Sequence, residues 1–324
     1  TITAPAQESQ APAAPAGLSK FAVSDTYYQS RIGAVRVFDA DGSNEVIIPN
    51  PTGRSDDNFG RGGLNNNIAL NTTKVAVGAV SARKTGAGNA EFGAAYLFNH
   101  DGTGGQQITA SNATHDDRFG SSVALTETKL VVGAYKNNNY TGAVYTYNLD
   151  GTGEQYIACP DTFLQMGSGV DVQGDKFVAA CKAGGDAYMF KTDGAGEVVL
   201  TSSDGTDGDQ FGTTVAINST KVVVGARYNS NYAGAVYVYN HDGSGEIKIN
   251  YPGSVNNAGF GSRLSCNENK ILILATDGVW ICNLDGTGLV QVTTQVYSYI
   301  DMASDKILGV NVGWPNNPQF VDIM

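Results

Sequence analysis

Phe211–Glu246, FGTTVAINSTKVVVGARYNSNYAGAVYVYNHDGSGE, recurs almost unchanged at Phe119–Glu154, FGSSVALTETKLVVGAYKNNNYTGAVYTYNLDGTGE. Aligned without gaps, 23 of the 36 positions are identical. Self-similarity on this scale means that one supersecondary unit is copied along the chain and stacked on its neighbours to bury a shared core. The rest of the sequence is read from this unit outward.

A single Lys opens one strand in every unit: Lys20, Lys74, Lys129, Lys176, Lys221, Lys270 and Lys306. A short polar turn (NTTK, TETK, NSTK, NENK) precedes it, and an apolar run such as VVVGA or ILILA follows. Phe119-Gly120, Phe211-Gly212 and Phe260-Gly261 lie ten residues before their Lys, and Met166-Gly167 holds that place in the fourth unit. An insertion displaces Phe59-Gly60 in the second. Each full unit therefore reads as four strands. Strand A follows Phe-Gly, strand B follows Lys, strand C is the Gly-Ala-Val-Tyr-x-Tyr run, and strand D follows an Asp-Gly turn. Asp-Gly between alternating runs is a strong hairpin signal, because Gly reaches positive φ without steric cost.

Four antiparallel strands repeated at about 45 residues are the signature of propeller blades. The fold class expected is all-β, a seven-bladed β-propeller of four-stranded antiparallel blades. Strands B and C are apolar on both faces, as stacking between two neighbours requires. The Phe of Phe-Gly is expected to wedge between blades, and the Gly-Ala ending strand B to allow close approach. One domain spans 1–324. Its blades lie at 5–48, 49–110, 111–159, 160–201, 202–250, 251–294 and 295–324. The last unit ends after strand C (Gln319–Met324), so residues 1–4, resembling the strand D at 107–110, are expected to supply its outer strand and close the ring. Pro5–Gly17 reads as an irregular link with a weak first strand. Without an initiator Met or a signal peptide, the start reads as processed or trimmed.

Composition bounds the function. Gly is abundant (41 residues) and charged residues are sparse at 16%. The net charge is −11, which disfavours phosphate backbones, so nucleic acid is not an expected partner. No apolar run approaches the roughly 20 residues of a membrane helix, and a soluble protein without membrane insertion is expected. Cys159, Cys181, Cys266 and Cys282 lack zinc-ligand spacing. They read as small buried hydrophobes within strands, with a disulfide as the alternative.

At Asp57–Gly60, Asp117–Gly120 and Asp209–Gly212 (Asp-x-Phe-Gly), at the Val-Gly-Ala ending strand B and at the Gly-Ala-Val-Tyr strand, the sequence resembles the FG-GAP repeats of integrin-α-type seven-bladed propellers. That resemblance covers nearly the whole chain and implies the fold. The calcium loop often found between strands A and B of that family is not matched, because NSTK, TETK and ASDK are too short to supply six to eight oxygens. The Asn-x-Asp-Gly-Thr/Ser-Gly turns also resemble repeat proteins of marine bacteriophages, cyanophages especially. This implies a virion structural or host-contact protein, in a virion or extracellular setting.

Loops B–C and D–A share one face. Its B–C loops vary, reading TYYQSR, SARKTGAGNAE, YKNNNY and RYNSNY, whereas the opposite face carries uniform turns. Variable loops on a rigid scaffold are where binding resides, and Tyr, Asn and Arg suit recognition. The candidate binding residues are Tyr28, Arg31, Tyr135, Asn138, Tyr140, Arg227, Tyr228, Asn231 and Tyr232. The alternative is that these residues serve turn geometry and cover the blade tops. Asp204, Asp207 and Asp209 could hold a calcium ion, but carboxylates in such loops more often accept backbone N–H bonds, and no cofactor is expected. His100 and His241 occupy equivalent turns, and His115 has no nucleophile motif beside it. The expectation is therefore a non-catalytic interaction module contacting another virion protein or a host receptor. A glycan-binding lectin is the alternative, and a carboxylate hydrolase is the least supported reading.

Overall fold

A computed structural model describes residues 20–25, 28–61, 67–83, 90–181, 183, 185–206, 208–297, 299–303, 306–310 and 319–322. They form seven antiparallel sheets, each a meander in chain order. Five have four strands, as in the third sheet (Phe119–Leu125, Lys129–Ala134, Ala143–Asn148, Gln155–Ala158) and the fifth (Phe211–Ile217, Lys221–Ala226, Ala235–Asn240, Ile247–Asn250). The second, fourth and sixth sheets begin at Ile68–Leu70, Met166–Gln173 and Arg263–Cys266. The first sheet (Lys20–Asp25, Ala34–Asp39, Val46–Pro49) and the seventh (Tyr299–Ala303, Lys306–Val310, Gln319–Asp322) have three strands among the described residues. Residues 1–19, and with them the expected closing strand and the link after it, lie outside the described residues.

The repeated residues explain how sheets join. Phe119 is fully buried between the second and third sheets, Phe211 between the fourth and fifth, and Phe260 between the fifth and sixth. Met166 fills the same place between the third and fourth. Each Phe-Gly thus acts as the expected wedge. The Gly of Val-Gly-Ala lets backbones meet. A Cβ on Gly133 would sit 1.9 Å from the carbonyl oxygen of Gly167 and 2.4 Å from Ser122 Oγ. Gly167 itself adopts φ +86, which an L side chain would strain. A parallel bridge between Gly142 and Met166, repeated as Gly234 with Phe260, continues the hydrogen bonding from one sheet into the next. The first described strands of successive sheets also touch each other, from Lys20–Asp25 of the first sheet to Tyr299–Ala303 of the seventh.

The recurring Lys has a structural role that its spacing alone did not reveal. In four of the sheets its ammonium donates to the Asn that ends strand C: Lys74 to Asn99 at 2.8 Å, Lys129 to Asn148 at 2.9 Å, Lys221 to Asn240 at 2.6 Å and Lys270 to Asn283 at 2.6 Å. The Asp of each Asp-Gly turn accepts the backbone N–H two residues on, and the hydroxyl there too except after Asp193, where the residue is Ala195; Asp150 accepts both from Thr152 at 2.9 and 2.6 Å. Cys159 corrects one expectation: it lies just beyond the strand Gln155–Ala158 rather than within it. All four cysteines carry free thiols.

Candidate functional site

The B–C loops of the third and fifth sheets, irregular by sequence, share one defined shape. In the third sheet, Asn138, Asn139 and Tyr140 have φ of 51°, 55° and 65°; in the fifth, Ser230, Asn231 and Tyr232 have 54°, 58° and 67°. Three consecutive non-glycine residues in the left-handed region carry backbone strain that the surroundings must hold in place. Asn and Asn-like polar residues tolerate that region best, which is why the loops are Asn-rich.

Two buried asparagines hold these loops. Asn137 donates to Asp117 at 3.0 Å and accepts from the hydroxyl of Tyr156 at 3.0 Å. Asp117 in turn accepts the N–H and hydroxyl of Thr114, which fixes the D–A loop. Asn229 repeats the arrangement, donating to Asp209 at 2.9 Å and accepting from Lys248 at 2.9 Å. The loops are also tied to the next sheet, since Gln165 N–H donates to the Tyr140 carbonyl and Gly259 N–H to that of Tyr232. A strained turn with an immobile base presents its tip in one pose.

That tip is a tyrosine. Tyr140 is 44% exposed and Tyr232 is 52% exposed. The Lys136 ammonium sits 5.1 Å from the Tyr140 ring centre, and its hydrogen bond to Asp116 raises its pKa. The Arg227 guanidinium lies 4.7 Å from the Tyr228 ring, which packs 4.8 Å from Tyr232. The structure therefore gathers Arg227, Tyr228, Asn231 and Tyr232 into one cluster, and Asn138 and Tyr140 with Lys136 into another. Tyr135 is partly buried beside the second cluster. Tyr28 stands in the first sheet's B–C loop, in a single helical turn; the side chain of Arg31 in that turn lies outside the described residues. The sequence reading overlooked Lys136 and Phe163. Phe163 is 62% exposed with φ 63°, two residues from the contact that ties Gln165 to Tyr140.

The two described carboxylates of the calcium set are engaged by protein donors. Asp204 is held below the usual carboxylate range by the Lys248 ammonium at 2.6 Å and the Tyr237 hydroxyl at 2.7 Å. Asp209 accepts from Thr206 and Asn229. Asp207 lies outside the described residues.

On the opposite face, the A–B turns surround a cavity of about 580 Å³. Asp171 and Asp301 reach it from the first strands of the fourth and seventh sheets, with Ser265 and Cys266 from the sixth. Burial pushes the Asp171 carboxyl up to about 6, against the pull of N–H bonds from Ile217 and Val172. Asp301 accepts the Ser265 hydroxyl at 2.7 Å. Both aspartates lie five residues before their strand-B Lys, where the other units with a described strand A have Ala69, Ala124, Ala216 and Ser265. Aligning the units on Lys exposes this departure.

A family model described as the FG-GAP repeat matches residues 104–147 and 196–239. Each match starts before strand D of one sheet and ends in strand C of the next, out of phase with the sheets. No curated protein matches the chain. A solved structure described as "Streptogramin B lyase structure" is similar with a TM-score of 0.68 and 9% identity, over 95% of this chain and 92% of that one. The chain carries FG-GAP repeats on a propeller-type fold. At 9% identity the likeness to the lyase structure extends to the fold alone, so its chemistry is not transferred here.

Proposed function

We propose that the protein is a non-catalytic interaction module that engages a partner through the B–C/D–A loop face. The observation that carries this reading is the pair of strained, anchored loops ending in exposed Tyr140 and Tyr232. Left-handed non-glycine residues cost about 1–3 kcal/mol each and persist at ligand clamps more than elsewhere. Rigid tyrosines give large contact area at low entropic cost. In this reading seven sheets form a seven-bladed ring, with residues 1–4 as the outer strand of the last blade. That strand would remove an open sheet edge. The virion-surface setting, with a virion protein or host receptor as partner, rests on the resemblance to phage repeat proteins.

Crosslinking and footprinting of the full chain in its native assembly tests the choice of surface. Protection of Tyr140 and Tyr232, with loss of association on Tyr140→Ala plus Tyr232→Ala, is the expected result. Protection confined to the A–B turns would reject it. Glycan recognition is a second reading, favoured by the exposed amides of Asn138 and Asn231 beside tyrosine rings; saturable binding on a glycan array, abolished by the same two substitutions, would select it. Hydrolysis of any member of a polysaccharide panel would shift attention to Asp171 and Asp301 and overturn the non-catalytic reading.

A further inference from the structure

Six of the chain's nine Asp-Gly pairs close the hairpins between strands C and D, at Asp41, Asp101, Asp150, Asp193, Asp242 and Asp285. All six aspartates are exposed, and in each turn the Gly N–H donates to the carbonyl of the residue two before the Asp. In five of them a hydroxyl two residues on donates to the carboxylate at 2.6 Å, from Ser43, Thr103, Thr152, Ser244 and Thr287. In four of those five the hydroxyl is itself held by the Asn that the strand-B Lys grips; Asn148, for example, donates to Thr152 at 3.1 Å. Lys, Asn, hydroxyl and Asp thus form a relay running from strand B to the tip of the turn. The fourth sheet has lost two of its links. Lys191 stands in the place of the Asn, directly opposite Lys176, and Ala195 stands in the place of the hydroxyl. Lys176 is turned to Asp175 at 3.7 Å instead. Asp193 keeps the Ala195 N–H at 2.9 Å, and no side chain among the described residues donates to it. Two further Asp-Gly aspartates are held by side chains: Asp204 by Tyr237 and Lys248, and Asp277 by Tyr251 and Trp280. Asp207 of the remaining pair lies outside the described residues.

We propose that Asp193 is a modification site, the hairpin position at which the backbone rearranges to isoaspartate, and that the Lys–Asn–hydroxyl relay keeps the equivalent turns from doing so. In the first step the Gly194 amide nitrogen attacks Cγ of the protonated Asp193 carboxyl. The new C–N bond closes a five-membered succinimide, and the carboxyl oxygen leaves as water with the amide proton and its own. Water then opens the ring. Addition at Cγ restores aspartate, and addition at the main-chain carbonyl carbon yields isoaspartate. One water leaves and one returns, so mass is unchanged and no oxidant or reductant takes part. The reaction requires Cγ to swing onto the Gly nitrogen. A hydroxyl donor holds the carboxylate toward the residue beyond the Gly instead, and losing a hydrogen bond to a charged group frees that motion by about tenfold. The same hydroxyl is the main cause that holds Asp41, Asp101, Asp150, Asp242 and Asp285 below the usual carboxylate range, which depletes the protonated form that loses water. Isoaspartate lengthens the main chain by a methylene inside the Lys191–Ala195 turn. The strand beyond it is short: Val198–Leu200 pairs with Ala187–Met189 and sinks Leu200 into the core shared with the fifth sheet. The rearrangement therefore loosens the outer edge of the fourth sheet, and the α-carboxylate it exposes is the group that a carboxyl methyltransferase specific for isoaspartate would accept.

The test ages the full folded chain in neutral buffer made with heavy-oxygen water, which labels every succinimide that reopens. Trypsin with a Glu-specific protease then releases Asp193 in the peptide 192–197, TDGAGE, apart from Asp204 and Asp207. Chromatography and electron-transfer fragmentation separate the aspartyl and isoaspartyl forms. Asp193 should carry about tenfold more isoaspartate than each of the five hydroxyl-bonded turns. Amide exchange at 198–200 should quicken in the aged fraction. Ala195→Thr together with Lys191→Asn rebuilds the relay and should bring Asp193, read in the peptide 183–197, down to the level of Asp150. Thr152→Ala should raise Asp150 toward the wild-type level of Asp193. The same chain aged in urea should lose the preference, since the relay exists only in the folded state. Equal conversion at the six turns, a rebuilt relay without effect, or a preference that survives in urea would each overturn the proposal. The comparison of six turns within one wild-type sample decides the matter even if a variant folds poorly.

Discussion

Replacing Asp171 by Asn should change how stability depends on pH. The Asp171 side chain borders the A–B cavity and is partly exposed there, and burial of its carboxyl raises its pKa to about 6 in the folded state against 3.8 in the unfolded chain. A carboxyl whose folded pKa is raised binds its proton more tightly when folded. Its contribution to stability is therefore fully present below about pH 4 and is lost as pH rises through 6. The full shift corresponds to about 3 kcal/mol, of which about 2 kcal/mol falls between pH 4.5 and 7. Solvent in the cavity makes this an upper bound. Asn at 171 keeps an acceptor for the Ile217 N–H but cannot ionise. Urea unfolding of the wild type and of Asp171→Asn at several pH values isolates the group, because the other titrating residues cancel in the difference. The variant should gain on the wild type by up to about 2 kcal/mol between pH 4.5 and 7. A constant difference, or one that moves the other way, would show that the two N–H donors outweigh desolvation and hold Asp171 ionised.

Two further outcomes test the packing between sheets. Phe211 is buried with its ring 5.2 Å from Tyr237 and 6.3 Å from Tyr239 in edge-on geometry. Phe211→Ala should cost about 4 kcal/mol in chemical denaturation, with Phe211→Leu recovering more than half of the loss; a cost near zero would remove the wedge role. Gly133→Ala forces a methyl into the Gly167 carbonyl and should cost about 3 kcal/mol or prevent folding, whereas a neutral effect in thermal melting would mean the two backbones separate freely.

The parts of this protein legible in its sequence are those set by local pattern. Phe-Gly, Val-Gly-Ala and Asp-Gly gave strand positions because each answers a short-range constraint: a wedge, a close approach, a hairpin. Met166 could be matched to Phe119 by spacing from Lys176 alone. The partner of the Lys could not be read, because Lys221 and Asn240 meet only once strands B and C are in register. The same holds for the loops. YKNNNY and RYNSNY announced recognition chemistry, but the triple left-handed turn depends on Asn137 and Asn229 reaching carboxylates 20 residues away. Asp171 and Asp301 come from sheets far apart in the chain, so their shared cavity exists only in the assembled interior.

The out-of-phase repeat bears on how such a chain can lengthen. Residues 104–147 and 196–239 each run from a point inside an Asp-Gly turn to the end of a strand C. Copying or excising a stretch cut at equivalent points of two successive Asp-Gly turns, such as residues 104–152, rejoins a strand C to a strand D through the same kind of turn that was cut. Every sheet on either side of the splice keeps its full set of strands and its neighbour's wedge. Gain or loss of a repeat at the gene level is thereby close to silent for local folding. The selective test falls instead on how the changed number of sheets packs as a whole.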